Sequence, residues 1–224
     1  MAKSRRSIPT FWEGDHLRLF ISHLAVEKAF AAKLKRELSR YEISGFVAHQ
    51  DIAVTSEWQS EIKQGLLTCD GLVALLHKGF HKSPWTDQEV GYVLGRKRPV
   101  CAIELGEKLY GFIGHIQALH GQSKDIPQIA AELFRALCQN PLTAKRLSAV
   151  AVARFVKSDS WADASDRLST LEVLRYWNDE SVERVKEAAK TNSQITHGPG
   201  IYAETPRRVD RLVAKWSRRP SPSA

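Results

Sequence analysis

Trp85 and Glu89 stand four residues apart in the stretch Ser83-Pro84-Trp85-Thr86-Asp87-Gln88-Glu89-Val90-Gly91. On a helix this spacing sets the indole and the carboxylate side by side on one face. Ser83, just ahead, has the type of a helix N-cap. A carboxylate in such a place can stabilise a positive centre, accept hydrogen bonds or act as a nucleophile. An indole beside it can stack on a planar ring and exclude water. On composition alone the pair reads differently, as a core tryptophan next to a solvated glutamate, the commonest fate of Glu on a helix. Ser22 and His23 close a short apolar run, and the C-terminal ends of strands are where open α/β sheets bind ligands. His23 suits a surface turn equally well. Asp51 ends the next strand-like stretch. Trp58 stands at the junction of the following loop and helix, where an apolar contact at a helix start is the plain alternative.

The elements that must position these residues alternate between strand-like and helix-like segments over about the first 140 residues, the pattern of an α/β domain with a parallel sheet. Leu17–Ser22 reads as a buried strand. Residues 25–40 read as a helix, with Phe30, Leu34 and Leu38 at four-residue spacing. A second strand runs from Gly45 to near Asp51. Trp58, Ile62, Leu66 and Leu67 line one face of a second helix. Gly71–Leu76 is a continuous apolar run of the kind found mid-sheet. A helix covers Trp85–Leu94, a strand Pro99–Leu105, and a short last strand His115–Leu119. Asp125 caps a helix striped by Ile129, Leu133 and Leu137, with Pro127 in its first turn.

Beyond Asn140–Pro141 the periodicity becomes helical only. Leu147, Val150, Ala151 and Phe155 mark one helix, Leu168, Leu171, Leu174 and Trp177 a second, and Val182 and Val185 a third, opened by acids suited to a helix N-terminus. After a turn at His197–Gly200, Thr205 caps a last helix with Pro206 in its first position and Val209, Leu212, Val213 and Trp216 as its apolar face. The expected organisation is a basic lead over 1–14, an α/β domain over 15–140, a helical region over 141–217 and a frayed tail over 218–224.

Composition narrows the function classes. Of 224 residues, 43% are hydrophobic and 26% charged, as in a chain that buries a core. No apolar run approaches the ~20 residues of a membrane-spanning helix, and no apolar stretch follows the basic Met1–Pro9, so no secretory leader is expected. Cys69, Cys101 and Cys138 form no CxxC and no zinc cluster; they read as buried thiols of a cytoplasmic protein. The formal net charge is +8, and residues 141–224 hold 15 Lys and Arg against 10 Asp and Glu. This basic excess reads first as a solvated surface. Arg207, Arg208, Arg211, Lys215, Arg218 and Arg219 fit no nucleic-acid recognition motif, so no nucleic-acid partner is expected.

Four stretches then stand in a telling order: Leu19-Phe20-Ile21-Ser22-His23; Phe46-Val47-Ala48-His49-Gln50-Asp51-Ile52 followed by Glu57-Trp58-Gln59-Ser60-Glu61-Ile62; Cys69-Asp70-Gly71-Leu72-Val73-Ala74-Leu75-Leu76 followed by Ser83–Gly91; and Tyr110-Gly111-Phe112-Ile113-Gly114 with Gln117-Ala118. Together they resemble a bacterial TIR (Toll/interleukin-1 receptor) domain of the NAD-cleaving type over roughly residues 15–140. The loop after Asp51 departs from the pattern, lacking the glycine or proline often found there. The resemblance implies a flavodoxin-like α/β fold with a central parallel sheet, followed here by a small all-α C-terminal region that resembles nothing identifiable.

It also implies a site. Glu89 takes the place of the catalytic carboxylate, with Ser22, His23, Asp51, Trp58, Ser83 and Trp85 around NAD+. NAD+ is the substrate, and neither cofactor nor metal is expected. Cleavage of the nicotinamide–ribose bond releases a neutral leaving group from a cationic one, so the acid that ordinary glycosidases need is dispensable and one carboxylate suffices. Water as acceptor gives ADP-ribose; an atom of the same molecule gives a cyclic product. The resemblance further implies a homo-oligomer joined through TIR–TIR contacts, an effector protein responding to a nucleotide product, and a role in anti-phage defence or signalling. The alternative is a TIR scaffold that works through assembly alone. A phosphorelay receiver, which shares the fold, would need paired acids after the first strand and an aspartate after the third; Ser22-His23 and His77-Lys78 stand there instead.

Overall fold

The structure is a computed structural model that describes residues 8–14, 16–47 and 58–217; nothing is described of the Trp58 side chain. The chain divides into two compact units, which meet between Phe134 and Arg135.

The first unit is built on five parallel strands, β1 (Leu17–Ser22), β2 (Ile43–Phe46), β3 (Gly71–Leu76), β4 (Val100–Glu104) and β5 (Ala118–His120). Their order across the sheet is β2-β1-β3-β4-β5. The α/β reading with a central parallel sheet therefore holds. This order reverses direction at β1 and β3, and the crevice outside the carboxyl ends of those two strands is where open sheets of this kind bind ligands. Every residue of β3 is buried, as befits an apolar run covered on both faces. The helices of this unit are α1 (Lys28–Ser39), α2 (Trp58–Thr68), α3 (Pro84–Gly95) and α4 (Ile126–Gln139), the last crossing into the second unit.

One side of the sheet presents Phe20, Phe46, Leu72, Ala74, Leu76 and Ala102 to Ile62 and Leu66 of α2 and to Val90 and Val93 of α3. Alternate residues of a strand share a face, so Ser22, two beyond Phe20, belongs to this side. Its place is locked by register: Leu19 lies against Gly71 and Ser22 against Ala74. The lock is reinforced one residue before β3, where Asp70 accepts from Arg18 Nε at 3.0 Å, Arg18 Nη2 at 2.7 Å and the Arg18 backbone N–H at 3.0 Å. Asp70 in turn donates its N–H to the Arg18 carbonyl at 2.8 Å. Gly65 of α2 lets that helix sit close: a Cβ there would lie 3.1 Å from the Phe46 ring and 3.3 Å from that of Phe20.

Several boundaries differ from expectation. The second strand begins at Ile43, two residues early, and its expected end at Asp51 lies outside the described residues. The last strand covers Ala118–His120 rather than His115–Leu119, because a 3-10 turn at Gly111–Ile113 and the turn behind it occupy the chain just before. Residues 8–14, expected as a lead, lie on the domain: Trp12 is buried, donates to Thr68 Oγ1 at 2.8 Å and leaves Phe11 against Phe46 at 4.7 Å. Asp125 does cap α4, accepting from Gln128 N–H at 2.8 Å while the Gln128 side chain accepts from Asp125 N–H at 3.1 Å.

The second unit adds α5 (Ala144–Val156), α6 (Trp161–Glu172), α7 (Asp179–Thr191), a single turn α8 (Ser193–Thr196) and α9 (Thr205–Ser217). Here α6 ends before Leu174 and Trp177, which the spacing had placed on the same helix; both are buried nonetheless, and Trp177 stacks on Trp216 at 5.7 Å. Burial alone kept the three- and four-residue rhythm going past the helix end. Thr205, expected as the cap, already lies within α9 and is buried. The tail 218–224 lies outside the described residues.

Candidate active site

The helix α3 starts where its sequence says it should. Ser83 is at the N-cap in extended conformation and Pro84 follows at the first helical position, its fixed φ suited to that place. The Ser83 hydroxyl makes no capping hydrogen bond. Thr86 instead ties the first turn to the chain ahead of it, its hydroxyl donating to the Phe80 carbonyl at 2.7 Å. Thr86, Glu89, Val90 and Val93 form the buried stripe of α3. Glu89 thus occupies a position that the helix period reserves for core residues.

The two members of the Trp85–Glu89 pair have the reverse of the burial that composition favours. Trp85 is 43% exposed and Glu89 only 7%. Such burial of a carboxylate requires a partner. Ser22, fully buried at the end of β1, supplies it: its hydroxyl donates to Glu89 Oε2 at 2.6 Å. The contact joins residues 67 apart in the chain. Removal from water pushes the Glu89 carboxyl up to about 7, and the Ser22 hydrogen bond works in the opposite direction.

Glu89 lines a cavity of about 470 Å³ between α2 and α3. Trp85, Gln88 and Tyr92 of α3 share its wall with Gln59, Ile62, Lys63, Leu66 and Leu67 of α2. Gln59, Lys63, Gln88 and Glu89 stand on a wall whose surface is mostly apolar, a make-up that suits a small-molecule site. Tyr92, three residues beyond Glu89 and seven beyond Trp85, was not singled out from the sequence, although its spacing places it on the same side of the helix.

The remaining sequence candidates scatter. His23 is buried rather than on a surface turn; its Nδ1 lies 3.0 Å from the Ile21 carbonyl, so it is a donor there. Ser83 sits at the N-cap, nearly two turns ahead of Glu89. Trp58 opens α2, whose next residues, Gln59 and Ile62, reach the cavity. Asp51 lies outside the described residues. A second polar group, absent from the sequence reading, stands at the carboxyl end of β4: Glu104 accepts from Lys108 Nζ at 2.8 Å and pairs with His120 Nδ1 at 2.8 Å. Both partners converge on Oε2, and Glu104 is not among the residues that line the cavity. The three thiols are pushed upward by burial, Cys69 to about 11 and Cys101 and Cys138 to about 12, which makes them poor nucleophiles.

Among the described residues no group of three His, Cys, Asp or Glu could hold a metal ion, and no helix is long and apolar enough to cross a membrane.

No curated protein matches the chain. Among solved structures it is similar to the TIR domain of the Toll-related receptor TRR-2 from Hydra magnipapillata, at 17% identity and a TM-score of 0.45, over 54% of this chain and 97% of that one. The family model for the TIR domain matches residues 19–134. That span holds all of α3, the Ser22–Glu89 hydrogen bond and the cavity, and it covers more than half of the sequence, so the chain belongs to the TIR domain family.

Proposed function

We propose that this TIR domain cleaves the nicotinamide–ribose bond of NAD+, with Glu89 as the catalytic carboxylate. The observation that carries the reading is a carboxylate buried at the switch point of a parallel sheet and facing a cavity beside an exposed tryptophan. A structural role accounts poorly for this, because a buried carboxylate costs stability that an apolar side chain in the same stripe would not.

The chemistry asks little else of the chain. As the bond to the pyridinium nitrogen lengthens, positive charge moves from the nicotinamide ring to the ribose carbon and its ring oxygen. Nicotinamide leaves neutral, so no proton need be delivered to it. An ionised Glu89, in surroundings of low dielectric, stabilises the ribosyl cation by charge or by hydrogen bonds to the ribose hydroxyls. Approach of a cationic ring also favours the ionised carboxylate over the protonated one. Trp85 offers a face for stacking, and the apolar lining excludes water. The acceptor, water or an atom of the same molecule, decides between ADP-ribose and a cyclic product.

The test is nicotinamide release by purified full-length protein, with the nucleotide product identified. Glu89→Gln keeps the size and the hydrogen bond from Ser22 but removes the charge; release should fall by at least about a thousandfold. A TIR module that works through assembly alone would be indifferent to this substitution in any functional readout. Unchanged turnover in a folded Glu89→Gln protein would falsify the assignment.

A further inference from the structure

Ser22 came from the sequence as a residue that would touch NAD+. Its surroundings point elsewhere. It has no exposed surface, it lies on the sheet face that packs against α2 and α3, and its hydroxyl is spent on Glu89 Oε2 at 2.6 Å. A hydroxyl has a single proton to donate, so this donation leaves none for a substrate. The strand that carries it is fixed on both sides, by β2 and by β3, and its register is clasped at Arg18 and Asp70. Glu89, by contrast, has three rotatable side-chain bonds and a cavity on one side into which it could swing.

We propose that Ser22 is a positioning residue, holding the Glu89 carboxylate in one orientation from the end of β1 and making no contact with substrate. This rests on the reading of Glu89 as the catalytic group. The hydrogen bond has two effects. It selects one rotamer of Glu89, so that the free oxygen is aimed without loss of orientational entropy at each turnover. It also favours the ionised form, since the donor serves a carboxylate better than a carboxylic acid. Of the other charged groups on the elements packed here, Lys63 of α2 shares the cavity with Glu89. The facing surface of β3 is apolar throughout, His23 turns its Nδ1 to a backbone carbonyl, and Glu104 of β4 is paired with Lys108 and His120. Asp87 of α3 accepts from Tyr110, and His81, ahead of α3, pairs with Glu107. Burial and Ser22 are the two influences that move Glu89.

The experiment compares full-length wild type with Ser22→Ala and Ser22→Thr in nicotinamide release across pH 5 to 9. Ser22→Ala should lower kcat by about 10- to 100-fold and leave KM within about threefold, because what is lost is orientation of the reacting group. The acid limb of its kcat profile should move upward by about one pH unit, since a carboxylate without its donor holds its proton more tightly. Ser22→Thr keeps the hydroxyl and should recover most of kcat. In parallel, carboxyl carbon NMR of Glu89 in Ser22→Ala should show a raised titration midpoint, which a variant that merely loosened the fold would not show selectively. A rise in KM with kcat unchanged would make Ser22 a substrate contact and overturn the inference, and so would an unmoved Glu89 titration. An inert wild type overturns the reading of Glu89 itself, whereas these two failures in an active protein overturn only the role of Ser22.

Discussion

At the scale of single residues, the site turns on an inversion of burial. Glu89 is inside and Trp85 is out, although their types alone favour the opposite. The inversion has a thermodynamic signature. The Glu89 carboxyl is raised from its ordinary 4.5 to about 7 by burial. Between these two values the unfolded chain gives up the proton while the folded chain keeps it, so the folded state loses ground as pH rises, and above about 7 the loss is complete. Below 4.5 both states are protonated and the difference vanishes. Glu89→Gln has no proton to lose. It should therefore be more stable than wild type at pH 8, by an amount on the order of 3 kcal/mol, and the gain should disappear at pH 4.5. Thermal melts of the two proteins at both pH values check this, and an equal difference at the two would show that Glu89 does not titrate as a buried group. Much of the site was legible in the sequence: the four-residue spacing, the N-cap position of Ser83 and the helix opened by Pro84 were all readable. The burial of Glu89 was not legible, because its type alone favours a solvated helix position; the interval it shares with Thr86, Val90 and Val93 carries it. What could not be read was its partner, because Ser22 and Glu89 are brought together by sheet register and helix packing across 67 residues.

At the scale of elements, α3 does two jobs with two faces. Its buried stripe fastens it to the sheet, and its flank carries Trp85, Gln88 and Tyr92 along the cavity opposite α2. Trp85 contributes to the wall without belonging to the core. Trp85→Ala should accordingly leave the melting temperature almost unchanged, while weakening NAD+ use by about five- to tenfold through lost stacking, worth about 1 kcal/mol. Steady-state kinetics beside a melt separate the two effects; a collapse of stability with proportionate loss of activity would return Trp85 to the core. Elements of this fold were legible wherever one periodicity ran unbroken, as in β1, β3, α3 and α4. They were less so where burial outlasts regular structure. Leu174 and Trp177 keep the helical rhythm beyond the end of α6 because both face inward from a loop. In the same way β5 is only three residues long, too short to mark itself against the turn before it.

At the scale of the whole molecule, the chain joins an α/β unit that holds the candidate site to a helical unit. TIR domains commonly self-associate, and α2 and α3 form the walls of the cavity. If a neighbouring copy completes the cavity, specific activity should climb with protein concentration over a hundredfold range and fall on dilution. A flat specific activity, with a monomer by light scattering at the highest concentration, would show a self-sufficient site in each chain. The clasp between Arg18 and Asp70 has a bearing on any such measurement. A chain that closed its sheet one residue out of step at β1 would still bury apolar side chains, because Leu19 and Ile21 are as apolar as Phe20. It would, however, bring Ile21 or His23 to the carboxylate in place of Ser22. Such molecules would be compact, soluble by ordinary criteria and silent. The Arg18–Asp70 pair fits only the register seen here, so Arg18→Ala should lower the share of a preparation that can work at all rather than the speed of each working copy, a difference that active-site titration beside kcat would show.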